Sequence, residues 1–113
     1  MTKIILKKDS VFGYSEFVIS GHSGYSDEGS DIVCAYISSA CELIMSILID
    51  ELHIEAETDI DSESAFIRLS IPHSEHNICV ASVIKICLEG FANQMKEFSG
   101  QFPKFVSIMF AKD

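Results

Sequence analysis

A chain of 113 residues, 48% hydrophobic and 22% charged, has enough apolar content for one core and is expected to form a single domain over residues 1–113. The net charge of −9, from 8 basic and 17 acidic residues, argues against direct nucleic-acid binding and suits a basic protein partner. With no basic leader ahead of a small-residue cleavage site and no apolar run of about 18 residues, a cytoplasmic location without a membrane partner is expected.

Residues 3–8, Lys-Ile-Ile-Leu-Lys-Lys, read as a short strand that ends at the turn signal Asp9-Ser10. Residues 14–20 read as a second strand with Phe17 and Ile19 on one face, and Gly13 marks a bulge at its start. Residues 21–30 form a loop with three glycines and three serines, a composition that suits a moving or substrate-contacting segment. A helix is predicted over 32–52, with Asp31 as N-cap accepting from the amide of Val33 or Cys34. Its polar residues make only a narrow stripe, so burial on most sides is expected.

Residues 53–61 alternate, with Ile54, Ala56, Thr58 and Ile60 on one face and Glu55, Glu57, Asp59 and Asp61 on the other. That pattern predicts a half-exposed strand, paired in a hairpin with residues 64–71, whose Ala65, Ile67, Leu69 and Ile71 point inward. A second helix is predicted over 75–99, capped by Ser74 and stopped by Gly100, with Val80, Val83, Ile84, Cys87, Phe91, Met95 and Phe98 on its buried side. A last strand covers 105–110. The order β-β-α-β-β-α-β implies an α+β fold, an antiparallel or mixed sheet with two helices packed on one face.

Cys34, Cys41, Cys79 and Cys87 have no CxxC spacing and no zinc-like grouping, so they are expected to be free thiols, and no metal or other cofactor is expected. The acidic run from Asp50 to Glu63 lacks the glycine of a calcium loop and reads as a solvated strand face or a docking surface for a basic partner. His53, His73 and His76 sit at element ends and are assigned no role.

Cys34 is different. With Asp31 as cap it takes the third helical position, where the helix dipole favours a thiolate and helix-start amides are at hand for an oxyanion. His22 ends the strand before the loop and is a base for that thiol if the loop folds back. A histidine and a cysteine twelve residues apart do not decide the matter by spacing alone.

The run Gly21-His22-Ser23-Gly24-Tyr25, then Gly29, then Asp31-Ile32-Val33-Cys34-Ala35 with Ser38 following, resembles the signature of the bacterial ribosomal-processing cysteine protease family, Prp. Length and element order are similar too. The resemblance implies an α+β homodimer that removes the N-terminal extension of a basic large-subunit ribosomal protein, the one numbered twenty-seven. It implies Cys34 as nucleophile and His22 as general base, Asp31 and Ser38 as supporting residues, and Gly21, Gly24 and Gly29 in a loop that substrate orders. Ser23, Ser26 and Tyr36 depart from the family pattern, which usually has small, alanine-like residues there. The alternative class is a non-enzymatic acidic dimer that binds a basic ribosomal protein or assembly factor, distinguished by an unreactive Cys34.

Overall fold

A computed structural model describes residues 1–27, 31–72 and 77–112. The elements are β1 (Thr2–Asp9), β2 (Gly13–Ser20), α1 (Ile32–Met45), β3 (Glu57–Asp61), β4 (Phe66–Ser70), α2 (Ile78–Gln101) and β5 (Val106–Lys112). They build one five-stranded sheet in the order β3-β4-β2-β1-β5. β1 runs antiparallel to β2 and parallel to β5, and β4 is antiparallel to both β2 and β3. The sheet is therefore mixed, as the element order allowed.

Period-two alternation puts one face of the sheet in the core. In register, Leu69, Phe17 and Leu6 form one row across three strands, and Ile67, Ile19 and Ile4 form the next. Against these rows lie the buried stripes of the two helices: Val33, Ile37, Cys41 and Ile44 from α1, and Ile84, Leu88, Phe91, Ala92, Met95 and Phe98 from α2. The Phe17 and Phe91 rings meet at 4.5 Å between centroids, within the range of a favourable aromatic pair. Among the described residues the other sheet face, with Lys3, Ile5 and Arg68, carries no helix, so both helices pack on one side.

Several local expectations need correction. The bulge falls at Ser15 rather than Gly13, because Lys7 and Lys8 pair with Glu16 and Tyr14. Gly13 itself turns at φ +77 beside Asp9, whose carboxylate accepts from the amides of Val11 and Phe12. The first long helix is buried on one stripe only: Ile32, Tyr36 and Leu43 are exposed, Leu43 by 64%. Past Met45 the backbone widens to a π-helical segment, Ser46–Glu51, closed by Leu52 N–H on Ile47 O at 2.9 Å.

Residues 53–56 are not strand, because Ile54 N–H bonds back to Leu48 O at 2.9 Å and is lost to the sheet. What remains, β3, is an edge strand exposed throughout; Thr58 and Ile60 lie on the helix side of the sheet but beyond the helices. The acidic outer face is not simply solvated. Arg68 of β4 reaches Glu16 at 2.7 Å, Asp59 at 2.9 Å and Glu57 at 3.5 Å.

α2 starts at Ile78, after Asn77, whose side chain caps Val80 N–H at 2.9 Å; Ser74, His73 and His76 lie outside the described residues. It also passes through Gly100 to end at Gln101, with Phe102 as its C-cap. Its buried stripe is rotated, so Leu88 and Ala92 are inside while Val83 is exposed. Ile32–Glu51 and Ile78–Gln101, with mean hydropathies of 2.1 and 1.3, are long and apolar enough to cross a membrane by length and composition. Neither is a continuous apolar run, since Ser38, Ser39, Glu42, Ser46 and Asp50 interrupt the first and Ser82, Lys85 and Glu89 the second. Here one stripe of each helix is spent on the sheet.

Candidate active site

The site forms where the end of β2, the start of α1 and the β3–β4 hairpin converge. Asp31 adopts an extended conformation, φ −80 and ψ 103, and its Oδ1 accepts from the amides of Val33 at 3.0 Å and Cys34 at 3.1 Å. This is the N-cap read from the sequence, now serving two donors. Its Oδ2 accepts from the Ser23 hydroxyl. Burial pushes the Asp31 carboxyl up, but the bonds from Ser23 and from the amides of Cys34, Ser26 and Val33 outweigh it and hold the group below its ordinary value.

Capping has a cost for the expected oxyanion site. The amides of Val33 and Cys34 are taken by the Asp31 side chain, and that of Ala35 by Asp31 O at 3.1 Å. These three helix-start amides are therefore engaged rather than at hand. A different donor stands beside the sulfur: Ser23 N–H bonds to Cys34 Sγ at 3.4 Å.

Gly21 sets the approach of His22. Its N–H donates to Ala65 O at 3.0 Å, its carbonyl accepts from the Thr2 hydroxyl at 2.9 Å, and its φ is +89. A Cβ there would stand 2.8 Å from Met1 O, closer than real contacts allow. Gly24 also has a left-handed φ, +78, with open space around it. Gly29 lies outside the described residues.

Two adjoining clefts share His22, Cys34 and Ser38. The larger, of about 380 Å³, runs between α1 and the hairpin, with Ile37, Cys41 and Met45 on one wall and Ile19, Ile60 and Ile67 on the other. Glu42 and Asp61 also line it. The smaller, of about 250 Å³, adds Gly24, Ser26, Asp31 and Ala35. The structure thus brings His22, Cys34, Asp31, Ser38, Gly21 and Gly24 to one place. A thiol, an imidazole and a backbone donor around a mainly apolar trough can perform acyl transfer on an extended peptide.

The family model of cysteine protease Prp matches residues 1–107. This chain belongs to the cysteine protease Prp family. It is a cysteine-type peptidase, which sets aside the non-enzymatic alternative. The fold is also that of solved structures. SMU.848 from Streptococcus mutans is 17% identical with a TM-score of 0.83, covering 100% of this chain and 96% of its own. The essential ribosomal processing protease Prp from S. aureus, solved with a covalently linked product peptide, is 13% identical with a TM-score of 0.82, covering 97% of this chain and 99% of its own. The same S. aureus protease with a substrate peptide gives a TM-score of 0.79 at 11% identity, with 97% and 99% covered. No curated protein matches this chain.

Other residues fall away from the site. Tyr36 lines neither cleft; it stacks on Phe98 at 6.0 Å and meets Phe102 at 6.5 Å, so its bulk is accommodated on α2 rather than beside Cys34. Cys41 is fully buried, and burial, with Glu42 adding to it, pushes its thiol up to about 12. Cys87 is half-buried and Cys79 is exposed. Residues that spacing missed are Thr2, Ala65 and the hairpin wall, which come from distant chain segments. Ser23 could have been singled out as a polar departure from the family pattern.

Proposed function

We propose that this peptidase removes the N-terminal extension from the precursor of the large-subunit ribosomal protein numbered twenty-seven. The observation that carries the reading is the presence of both His22 and Cys34 on the walls of both clefts, with Cys34 in the first turn of α1. His22 takes the Cys34 proton and the thiolate attacks the scissile carbonyl. Collapse of the tetrahedral intermediate breaks the C–N bond, and imidazolium protonates the leaving amine. Water, deprotonated by His22, then releases the acyl group.

The apolar trough suits apolar side chains next to the scissile bond, and Glu42 and Asp61 favour a basic stretch nearby. The net charge of −9 supports a basic precursor as substrate. We place the enzyme in the cytoplasm, where such a precursor is made, as a homodimer. The exposed apolar residues Ile32, Tyr36 and Leu43 on α1, with Val83 and Ile86 on α2, give a second copy something to cover.

Cys34→Ala is expected to abolish cleavage of a precursor peptide while circular dichroism stays unchanged, and undiminished cleavage would refute the proposal. His22→Ala is expected to be equally inactive; a near-wild-type rate removes it as base.

A further inference from the structure

With the amides of Val33, Cys34 and Ala35 bonded to Asp31, a donor for the oxyanion of the reaction is sought beside them. One donor lies against the sulfur itself, Ser23 N–H at 3.4 Å from Cys34 Sγ. Once sulfur bonds to the carbonyl carbon, the carbonyl oxygen lies one bond beyond it, within reach of the same N–H. Such a donor is useful only if held in place, because an amide that must reorient loses the advantage over water.

Ser23 is held from both sides. The residue is 2% exposed, its hydroxyl donates to Asp31 Oδ2, and its Oγ accepts from Tyr25 N–H at 3.2 Å. Beyond it the Tyr25 ring stands edge-on to Phe105 at 5.2 Å and Phe102 at 5.9 Å. The cap of the helix that carries Cys34 and the loop that carries His22 are therefore joined through one hydroxyl.

We propose that Ser23 serves the oxyanion: its backbone N–H binds the developing charge, and its hydroxyl, tied to Asp31, orients that N–H. The inference rests on the reading of Cys34 as nucleophile. In the step concerned, the thiolate pair forms the S–C bond while the carbonyl π pair moves onto oxygen, where Ser23 N–H meets it. On collapse that pair returns, the C–N bond breaks and the amine leaves with a proton from His22. Ser23 N–H keeps its own proton throughout.

The test separates attack that makes an oxyanion from attack that does not. Ser23→Ala is expected to lower kcat for a precursor peptide about tenfold, with KM changed by less than about twofold. It is expected to weaken a peptide aldehyde inhibitor, whose adduct carries the oxygen, by about tenfold as well. Alkylation of Cys34 by iodoacetamide, which forms no oxyanion, should stay within about twofold of wild type. Ser23→Thr, which keeps the hydroxyl, should restore kcat.

Replacing the Ser23 amide by an ester through semisynthesis removes the N–H alone, and should cost roughly 100-fold in kcat. This second variant decides the matter even if Ser23→Ala does not stay folded. Wild-type kcat in the ester enzyme overturns the proposal, as does a fall in alkylation that matches the fall in cleavage. The same signature arising from Ser38→Ala in place of the Ser23 variants overturns it too. Cleavage by Cys34→Ala is a separate outcome, which removes the nucleophile and this proposal with it.

Discussion

Asp31 does three jobs with one carboxylate: it caps α1, holds Ser23, and stays ionised in a buried place through the bonds it accepts. Because its folded value is depressed, its contribution to stability is full above the ordinary carboxylate range and is lost as pH falls through the depressed value. Asp31→Ala is expected to cost about 1–3 kcal/mol near neutral pH, through the lost cap and the stranded Ser23 hydroxyl. The gap in Tm between that variant and wild type should shrink as pH is lowered through this range. A gap that ignores pH counts against the assignment. Gly21 is the other fixed point, since its left-handed φ and the nearby Met1 carbonyl leave no room for a side chain. Gly21→Ala should both destabilise the protein and slow cleavage by shifting His22. Equal loss of activity in Gly24→Ala, where space is open, would argue for strain alone.

At the level of elements, glycine means something else. Gly100 lies inside α2, with nothing near an added Cβ, so it does not stop the helix. Gly100→Ala should therefore raise stability by about 0.5–1 kcal/mol, read as a higher Tm; a lower one would mean that this turn is not helical in solution. The contact of α2 with the sheet centres on Phe91 and Phe17, and Phe91→Ala should cost about 3–5 kcal/mol in urea unfolding, whereas a loss under 1 kcal/mol would contradict this packing. β1 and β2, at the sheet centre, met the expected alternation and bury that face in the core. The strand over 53–61 kept only its second half, since Ile54 pairs with the end of the preceding helix instead. Period two was legible there, but which backbone partner would claim each N–H was not.

Across the whole molecule, charge and exposed apolar surface each make a claim. Excess negative charge should speed encounter with a basic precursor, so kcat/KM is expected to fall as salt is raised, while a short neutral peptide shows little change. Equal salt sensitivity for both would place the effect in the enzyme rather than in encounter. If two copies meet through the outer faces of the helices, Leu43→Glu should sediment as a monomer at concentrations where the wild type is a dimer. A monomeric wild type removes the dimer proposal.

By itself, the sequence determined the two long helices, the central strands, the Asp31 cap and the position of Cys34 two residues into α1. All of these follow from local periodicity and from hydrogen bonds between near neighbours. It also carried the signature that marks the family. Only the tertiary structure decided that Tyr36 turns onto α2, that the hairpin closes one wall of the cleft, and that Thr2 and Ala65 hold Gly21. It also decided the use of donors at the site. Asp31 takes the helix-start amides, and Ser23, eight residues earlier, offers its own to Cys34. Spacing along a chain places side chains on faces, but which donor each acceptor satisfies depends on the three-dimensional fold.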